Sequence, residues 1–323
     1  MDSRRDFIGK ALAGGFIASA ATLPARGGVV GGKTVKDLSA PWGPALQYVH
    51  VNLGLEKPFS VLHISDTHLS AAYPTECEDL RRVSKERTEC FGGMQEVALA
   101  TSLYWAQRDC DYVVHTGDLV DFQSEANIDL VRKYLGAEFC AFGAIGNHEY
   151  ECRRAKSGGL KSGTAAYNEA ARAALKDAYP FDLTFASKVI NGVNFVMLDN
   201  VFGTVTRSQA DRFVAEVGKG LPIILCMHVP FFTDWLWRAS CRYWKYRHRK
   251  FRNGPVDPTG DFKAQQNDRT TADFIAYLKS VPLLRGILTG HLHVGIIGRF
   301  SKTAMEYVVG GNYAFNAQEV LFL

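Results

Sequence analysis

The sequence predicts an α/β domain whose β-sheets are mixed rather than purely parallel. Short apolar runs of strand length alternate with longer runs whose apolar residues recur at helical spacing, which is typical of α/β folds. In the run "KVINGVNFVMLD", an Asn-Gly pair separates two apolar stretches and predicts a tight antiparallel hairpin. Further strand-like runs close the chain. The hairpin and these last strands are the reason to expect antiparallel pairs in the sheets.

The predicted strands are apolar runs that end at polar or turn-forming residues. The first, "FSVLHIS", is followed directly by Asp66 and His68. Because alternate residues of a strand point to the same face, this spacing aims a carboxylate and an imidazole in one direction. In chain order, the other predicted strands are "DYVVHTG", "FCAFGAIG", the two arms of the hairpin, "PIILCMH", "RGILTG", "IIGRF", "EYVVGG" and "EVLFL".

The predicted helices lie between these strands. The run "GGMQEVALATSLYWAQRD" begins after a glycine pair, and "SEANIDLVRKYLG" ends at Gly136, a residue type that commonly ends helices. The other predicted helices are "AAYNEAARAALKDA", "RSQADRFVAEVGK" and "TADFIAYLKS".

The composition is that of a soluble globular protein with a sizeable core. Hydrophobic residues make up 47% and charged residues 22% of the 323 positions, which argues against a disordered or fibrous chain. The net charge of +4 is modest for this length. A nucleic-acid partner for the whole chain is therefore not expected.

The first residues of the chain predict an export signal. Arg4 and Arg5 precede the apolar, small-residue run "ALAGGFIASAATL", and paired arginines in this position resemble the twin-arginine consensus. Cleavage could follow Ala20 or Ala25, and an uncleaved membrane anchor is the alternative. We expect a signal peptide over residues 1–25, a Gly- and Pro-rich linker over 26–45, a domain over 46–323, passage through the twin-arginine translocase and a periplasmic location.

The seven cysteines are an odd number, so at least one is free or pairs between chains. Cys110, Cys140 and Cys226 lie in or beside apolar runs and are predicted to be core residues. Cys77 and Cys90 bracket a polar stretch that we interpret as a loop, and they could form a disulfide in an oxidising compartment. The absence of a CxxC pattern argues against a zinc site made of thiolates.

Residues 231–262 fit none of these elements and are predicted to be a partly helical lid inserted into the domain. Arg238, Arg242 and Lys245 could bind additional phosphates or an acidic lipid headgroup, and Trp244 could stack on a base or lie at a membrane surface. The alternative is a solvated helix whose aromatic side chains pack on the domain. The basic residues of this segment are Arg238, Arg242, Lys245, Arg247, Arg249, Lys250 and Arg252, and its aromatic residues include Trp235, Trp237, Tyr243 and Trp244.

Residue types that bind metals recur where five predicted strands end. These places are "SDTH", "TGDLVD", "GNHE", "MHVP" and "GHLH". Ligands of α/β sheets bind outside the carboxyl ends of the strands, so the five strand ends could converge on one crevice. Mixed nitrogen and oxygen donors suit Mn, Fe or Zn, and a cluster of this size predicts two metal ions.

These blocks resemble the calcineurin-like metallophosphoesterase family, whose pattern is D-x-H, G-D, G-N-H-[DE], H and G-H-x-H. All five occur in that order and span residues 66–293. The resemblance implies a four-layer fold in which two packed mixed sheets are flanked by helices. The matching blocks are Asp66-Thr67-His68, Gly117-Asp118, Gly146-Asn147-His148-Glu149, His228 and Gly290-His291-Leu292-His293.

The resemblance also implies roles for the matching residues. Two metal ions, bridged by Asp118, would hold a water or hydroxide that attacks phosphorus, and His148 would contact the substrate phosphate or protonate the leaving oxygen. The implied ligands are Asp66, His68 and His293 for the first metal, and Asn147, His228 and His291 for the second.

One position departs from a branch of the family. Purple acid phosphatases have a metal-binding tyrosine three residues after the Asp of the G-D block, whereas this chain has Asp121. The departure argues against a tyrosinate-iron site, and we expect Asp121 to lead into the next helix or to support ligands rather than to be one. His63 and His115 lack counterparts among the family ligands and are expected in the core or behind the ligands.

The expected function is that of an exported hydrolase of phosphoester bonds that uses two metal ions. The choice between phosphodiesters and phosphomonoesters stays open. The alternatives are a pyrophosphatase acting on a nucleotide-sugar or lipid precursor, and a non-catalytic metal-containing protein that binds anions.

Overall fold

The structure is a computed structural model that describes residues 29–30, 33–34, 45–135, 142–151, 159, 161–247 and 259–323. The predicted signal peptide, most of the predicted linker, residues 248–258 of the predicted lid and the side chain of Lys245 lie outside this description.

The described strands form a short hairpin and two larger sheets. They are β1 (Val29–Val30), β2 (Lys33–Thr34), β3 (Ala45–Val51), β4 (Phe59–Ile64), β5 (Tyr112–Thr116), β6 (Gly143–Ala144), β7 (Phe185–Ile190), β8 (Val193–Leu198), β9 (Ile223–Cys226), β10 (Leu284–Thr289), β11 (Ile296–Arg299), β12 (Met305–Val308) and β13 (Asn316–Phe322).

The described α-helices connect or follow these strands. They are α1 (Glu78–Cys90), α2 (Gln95–Asp109), α3 (Glu125–Tyr134), α4 (Ala165–Leu175), α5 (Arg207–Val217), α6 (Asp234–Arg247), α7 (Thr259–Asn267) and α8 (Arg269–Ser280).

Both large sheets are mixed, as the sequence predicts. One has the order β3-β13-β4-β5-β6, in which β13 runs antiparallel to β4 while β4, β5 and β6 are parallel. The other has the order β11-β12-β10-β9-β8-β7, with antiparallel pairs at both edges and parallel pairs between them. The β7–β8 pair is the predicted hairpin. Asn191 and Gly192 form its turn with φ angles of 49° and 82°, the left-handed values that a two-residue Asn-Gly turn requires.

The two sheets pack face to face, and helices cover their outer faces. Phe59 and Phe322 of one sheet meet Phe195 of the other, with ring centroids 6.3 Å and 5.6 Å apart. On the outer faces, Leu99 of α2 belongs to the core of the five-stranded sheet and Phe213 of α5 to that of the six-stranded sheet. The fold is therefore the predicted four-layer arrangement. Burial on both faces explains why a run such as "FSVLHI" is buried at every position.

The strand ends that carry the predicted ligands meet at one edge of the two sheets. Backbone hydrogen bonds join the loop after β4 to the loop after β5, from His68 N to Asp118 O at 2.9 Å. The loop after β10 is joined to the end of β9, from Gly290 N to His228 O at 3.0 Å. The backbone N–H of His291 donates to the Asp66 carboxylate at 2.9 Å, and this bond links the two sheets.

The predicted disulfide between Cys77 and Cys90 is wrong. The stretch between them is the helix α1 and not a loop, and Cys77 precedes its first residue whereas Cys90 is its last. A helix rises about 1.5 Å per residue, so its 13 residues separate the two cysteines by far more than the about 7 Å that a disulfide tolerates between Cα atoms. No disulfide joins Cys77 to Cys90.

Two strand regions are not among the predicted elements. Residues 29–30 and 33–34, inside the predicted linker, pair as an antiparallel hairpin, and β3 begins at Ala45, beside the predicted start of the domain at residue 46. β3 is an edge strand with four of its seven residues exposed, so it lacks the apolar pattern that marks the inner strands.

The described part of the predicted lid is helical. α6 packs against β11, where Trp235 lies over Gly298 and leaves no room there for a Cβ atom. Leu236 of α6 is buried in a small cluster with Phe262 and Leu292. Among the described residues, no helix has both the length and the apolar character needed to cross a membrane.

Candidate metal centre

The predicted ligands stand out first by their backbone conformation. Among the described residues, eight that are not glycine have a positive φ angle, a conformation that costs about 1–2 kcal/mol per residue. Strain of this kind persists where the surrounding structure enforces it and often marks functional sites. Five of the eight are predicted ligands, namely Asp66, His68, Asp118, His291 and His293.

Two glycines of the sequence blocks allow the loops to approach closely. A Cβ atom on Gly146 would lie 2.2 Å from Asp118 Oδ1, and one on Gly290 would lie 2.4 Å from Asp66 Oδ2. Any side chain at either position would displace a predicted ligand. The glycines of "GNHE" and "GHLH" are thus explained by contact with the carboxylates of the other blocks.

The first group of donors consists of two carboxylates and two imidazoles. The Nε2 atoms of His68 and His293 lie 3.0 Å apart. His293 Nε2 is 3.2 Å from Asp66 Oδ1, and His68 Nε2 is 3.7 Å from Asp118 Oδ2. All four residues offer atoms within 4.8 Å of one another, which is close enough to hold one metal ion.

The second group shares Asp118 with the first. His228 Nε2 lies 3.1 Å from Asp118 Oδ2 and 3.3 Å from His291 Nδ1, and these three residues could also hold one ion. Asn147 lines the same cleft as His291, and its buried Oδ1 atom accepts no hydrogen bond. A buried amide oxygen without a partner is costly, and a cation in the cleft would satisfy it.

Each of the four predicted histidine ligands is held through its other ring nitrogen. His68 Nδ1 lies 2.9 Å from Asp121 Oδ1, and His228 Nδ1 lies 2.8 Å from the carbonyl oxygen of Thr116. These acceptors fix a proton on Nδ1, so that Nε2 is the nitrogen that faces the carboxylates. The other two contacts are from His291 Nε2 to Asp261 Oδ2 at 3.0 Å and from His293 Nδ1 to Tyr313 Oη at 3.3 Å.

This arrangement fits metal binding better than a network of protein hydrogen bonds alone. Histidines that bind metals usually donate their second ring N–H to a carboxylate or a carbonyl, as His68, His228 and His291 do. Lone pairs of nitrogen and oxygen that point at one another repel unless a proton or a cation lies between them. The donor set of imidazole, carboxylate and amide oxygen suits Mn, Fe or Zn.

The charges of the centre shift its pKa values in opposite directions. Burial lowers the pKa of His68 to about 4, so this imidazole is neutral and able to bind a metal. Burial also disfavours a charge on His228, but the neighbouring Asp118 outweighs burial and raises the pKa of His228 to about 9. The pKa of Asp118 lies well below its usual range, because His228 and His148 outweigh the effect of burial.

Asp121 connects the first group to His148. In addition to its contact with His68, the Asp121 carboxylate accepts hydrogen bonds from Nε and from Nη2 of Arg87, the latter at 2.8 Å. Its Oδ1 atom also lies 3.0 Å from His148 Nδ1. The ring of Phe91 stacks on His68 with centroids 4.3 Å apart. The structure therefore places Asp121 behind the predicted ligands, where the sequence analysis expects it.

Glu149 is a supporting residue that the sequence analysis did not single out. Its buried carboxylate accepts hydrogen bonds from the backbone N–H groups of Asp118, Leu119 and Gly146 at 2.7–2.9 Å, and from the Tyr179 hydroxyl at 3.0 Å. It therefore ties the loop after β5 to the loop after β6. The position of Glu149 directly after His148 in the "GNHE" block could have predicted this supporting role.

The other two buried histidines lie behind the site. His63 contacts Gln318 and Thr116, and His115 contacts Thr67, all within 3.0 Å. Burial lowers the pKa of His63 to about 4 and that of His115 to about 3, so both are neutral at physiological pH. They occupy the core and supporting positions that the sequence predicts.

The predicted substrate residues of α6 do not share one environment. Arg238 and Arg242 are exposed, and their predicted contact with a phosphate or a lipid headgroup stays a prediction. The prediction that Trp244 stacks on a ligand is wrong, because this side chain is buried and its indole N–H donates to the carbonyl oxygen of Leu292 at 3.2 Å. Leu292 lies between His291 and His293, so Trp244 supports the loop that carries two predicted ligands.

Asp261 reaches the centre from α7. It lies in the segment predicted to be a lid, and its carboxylate contacts His291 as described. No feature of the sequence predicts this contact, because Asp261 belongs to none of the five blocks.

A cleft of about 200 Å³ opens beside the second group of donors. It is the space in which a substrate could meet the predicted second metal. Its lining residues are Asn147, Tyr150, Glu151, Ser162, Phe202, Val229, Asp261 and His291.

Comparisons with known proteins agree with this architecture. The sequence model of the calcineurin-like phosphoesterase family matches residues 59–295. No curated protein sequence matches the chain.

Several solved structures are similar to the chain at low sequence identity. A dimetal phosphatase from Danio rerio is 15% identical, with 79% of this chain and 88% of that chain covered and a TM-score of 0.42. A putative 5′-nucleotidase from Staphylococcus aureus is 17% identical, with 79% and 49% covered and a TM-score of 0.42. A purple acid phosphatase from yellow lupin is 13% identical, with 80% and 45% covered and a TM-score of 0.44. The chain thus spans about half the length of the putative 5′-nucleotidase and of the purple acid phosphatase.

The hydrogen bonds of Glu149 lead to a prediction about stability. In Glu149→Gln, one of the two oxygens that accept backbone N–H groups becomes an NH₂ group, which cannot accept them. We expect the free energy of unfolding to fall by about 1–3 kcal/mol, measured by urea denaturation.

Glu151→Gln is the matched control, because Glu151 is exposed and lies two residues further along the chain. Its stability should equal that of the wild type. Equal stability of Glu149→Gln and the wild type would contradict the role of Glu149 as the link between the two loops.

Proposed function

The chain belongs to the calcineurin-like phosphoesterase family, and we propose that it hydrolyses phosphoesters at a centre of two metal ions formed by the seven predicted ligands. Hydrolysis of phosphoesters with the help of metal ions is the activity of the family. The observation that carries the proposal is the convergence of four imidazoles, each held through its second nitrogen, on two carboxylates, with donor atoms as close as 3.0–3.2 Å to one another.

In this proposal Asp66, His68 and His293 bind one metal and Asn147, His228 and His291 bind the other, with Asp118 between them. The shared position of Asp118 Oδ2, close to His68 and His228, supports its role as the bridge. Bound there, two ions would act as Lewis acids toward the phosphoryl oxygens.

His148 is the proposed acid of the reaction. Asp121 holds its Nδ1 atom, so Nε2 is the nitrogen that can reach a substrate. Burial disfavours the charged imidazole, but Asp118 and Asp121 outweigh burial and raise the pKa of His148 to about 10. A protonated His148 could stabilise charge on the phosphoryl group or donate its proton to the leaving oxygen.

The substrate class within the family is open between phosphodiesters and phosphomonoesters. A pyrophosphatase or a non-catalytic anion-binding protein remains the alternative. A complete set of donors together with His148 favours an enzyme over a binding protein, since a binding protein needs no proton donor beside the metals.

The test of this function uses the protein without residues 1–25, loaded with Mn, Zn or Fe. We expect turnover of p-nitrophenyl phosphate or bis-p-nitrophenyl phosphate, and the ratio of the two rates distinguishes a monoesterase from a diesterase. Replacement of His148 by Ala should lower kcat by about 10²–10⁴-fold, while the metal content measured by elemental analysis stays the same.

The control is His50→Ala, which removes an exposed histidine of β3 and should leave kcat unchanged. Turnover of neither ester by the metal-loaded wild type would favour the anion-binding alternative. Equal kcat for the His148→Ala variant and the wild type would remove the proposed role of this residue.

We propose further that the protein is exported through the twin-arginine route and acts in the periplasm. The support is the pair Arg4 and Arg5 before an apolar run. Conversion of both to Lys should retain the protein in the cytoplasm, as measured by cell fractionation, whereas Arg26→Lys should not change its location. Unchanged export of the double variant would refute this route.

We also propose that α6 contacts an anionic membrane surface. Trp235 and Trp237 are 60% and 40% exposed, and Arg238 and Arg242 are exposed on the same helix. A surface that combines aromatic and cationic side chains suits anionic lipid headgroups.

Flotation with vesicles of anionic and of neutral lipid tests this contact. Each arginine near an anionic surface contributes about 1 kcal/mol, so conversion of Arg238 and Arg242 to Gln should weaken binding to anionic vesicles by about tenfold or more. The matched control converts Arg207 and Arg269, which are exposed on other helices. If both double variants lose the same amount of binding to anionic vesicles, the binding depends on net charge alone and α6 is not the contact surface.

A further inference from the structure

One wall of the cleft is a residue whose backbone conformation is unfavourable for its type. Phe202 has φ 70° and ψ 14° within a short helical turn over Val201–Gly203. A positive φ angle is a genuine outlier for a bulky side chain without hydrogen-bonding groups. Among the described residues other than glycine, the positive φ angles that belong neither to a predicted ligand nor to the Asn-Gly hairpin are those of Phe202 and Phe315.

The turn that carries Phe202 is fixed from both sides to the second group of donors. The side chain of Asn200 exchanges two hydrogen bonds with the backbone of Val229, the residue after His228. On the other side, Gly203 packs so closely on Asp261 that a Cβ atom would lie 2.6 Å from the Asp261 carbonyl oxygen. The position of Phe202 relative to His228 and His291 is therefore set by packing.

The Phe202 ring is held in the cleft and still faces solvent. It is 42% exposed, and its centroid lies 5.6 Å from that of Tyr150, at an interplanar angle of 55°. Tyr150 is itself buried, and its hydroxyl contacts Asp199 and, at 3.1 Å, Arg172. A rigid tyrosine thus supports one part of the ring and leaves the remainder accessible.

The strained backbone and the exposed ring of Phe202 each destabilise the folded protein when no ligand covers them. A backbone in a sparsely populated region persists at functional sites where a ligand gains from it. An exposed aromatic ring in a cleft offers a flat apolar surface, on which planar groups stack. Both features have an explanation if the ring is covered when substrate is bound.

We propose that Phe202 is a platform on which a planar aromatic group of the substrate stacks while the phosphoryl group lies at the metal centre. The proposal rests on the proposed function and narrows its substrates to phosphoesters of nucleosides or of aryl alcohols rather than of alkyl alcohols. The hydrolysis stays the same: a P–O bond to water oxygen forms, the ester P–O bond breaks, and the leaving oxygen takes a proton. Asn147 and His291 line the cleft together with Phe202, which allows one substrate to contact all three.

The experiment compares three phosphomonoesters on the metal-loaded protein: adenosine 5′-monophosphate, p-nitrophenyl phosphate and glycerol phosphate. For Phe202→Ala and Phe202→Gly, we expect kcat/KM for the two aromatic esters to fall about 5–100-fold, the range that loss of one stacked base gives. For glycerol phosphate, kcat/KM should stay within about twofold of the wild-type value, because its alkyl group gains little from an aromatic surface.

Phe202→Gly separates a binding role from a structural one. Glycine adopts a φ angle of 70° without strain, so this variant should keep the Tm of the wild type or exceed it while it loses selectivity. A lower Tm together with an equal loss for all three esters would mean that Phe202 only supports the fold, which would overturn the proposal. Tyr104→Ala removes another exposed aromatic side chain, on α2, and should change neither the selectivity nor kcat/KM.

The outcomes distinguish this proposal from the proposed function. If the wild type hydrolyses all three esters while Phe202→Ala lowers kcat/KM equally for each of them, that result would contradict the role of Phe202 as a stacking platform. It would leave the proposed phosphoesterase activity intact. If the wild type hydrolyses none, calorimetric titration with adenosine monophosphate and with glycerol phosphate still tests the platform, since only the first should bind more weakly to Phe202→Gly. If kcat/KM of the Phe202 variants falls for p-nitrophenyl phosphate alone, simple aryl esters are the substrate class. If it falls for adenosine 5′-monophosphate alone, the substrate class is phosphoesters of nucleosides.

Discussion

The crowding of lone pairs where the two sheets meet is the constraint on which the rest of this structure depends. Imidazole nitrogens lie about 3 Å from one another and from carboxylate oxygens, and in a buried site this arrangement is stable only with positive charge between the donors. The four-layer fold provides the place, because the carboxyl ends of β4, β5, β9 and β10 lie at the same edge. The hydrogen bond from His291 N to the Asp66 carboxylate joins the two halves of the centre across that edge.

Groups outside the two donor sets determine whether the donors point inward. Asp121, Asp261, the Thr116 carbonyl and the Tyr313 hydroxyl each hold one histidine by its outer nitrogen. Glu149 does the same for the backbone, since it collects N–H groups from two loops. Such contacts maintain the left-handed conformation of five predicted ligands, which would relax in an isolated peptide.

The segment predicted to be a lid has two faces with different roles. Its inner face supports the centre, because Asp261 contacts His291 and Trp244 holds the carbonyl oxygen between the last two predicted ligands. Its outer face presents Trp237, Arg238 and Arg242 to solvent. The cleft with Phe202 lies on the side of the second group of donors and is bounded by α7 rather than by α6.

The sequence by itself determined the fold class, the positions of the inner strands along the chain and the residues predicted to form the centre. Buried strands and the Asn-Gly turn depend on local composition, and the five blocks carry their residue types in a recognisable order. The tertiary structure alone decided the contacts between distant segments. It buried Trp244, added the edge strand β3, and brought Asp261 to His291 and Phe202 to the cleft. None of these could be read from the sequence, because each depends on which segment packs opposite and not on the residues beside it.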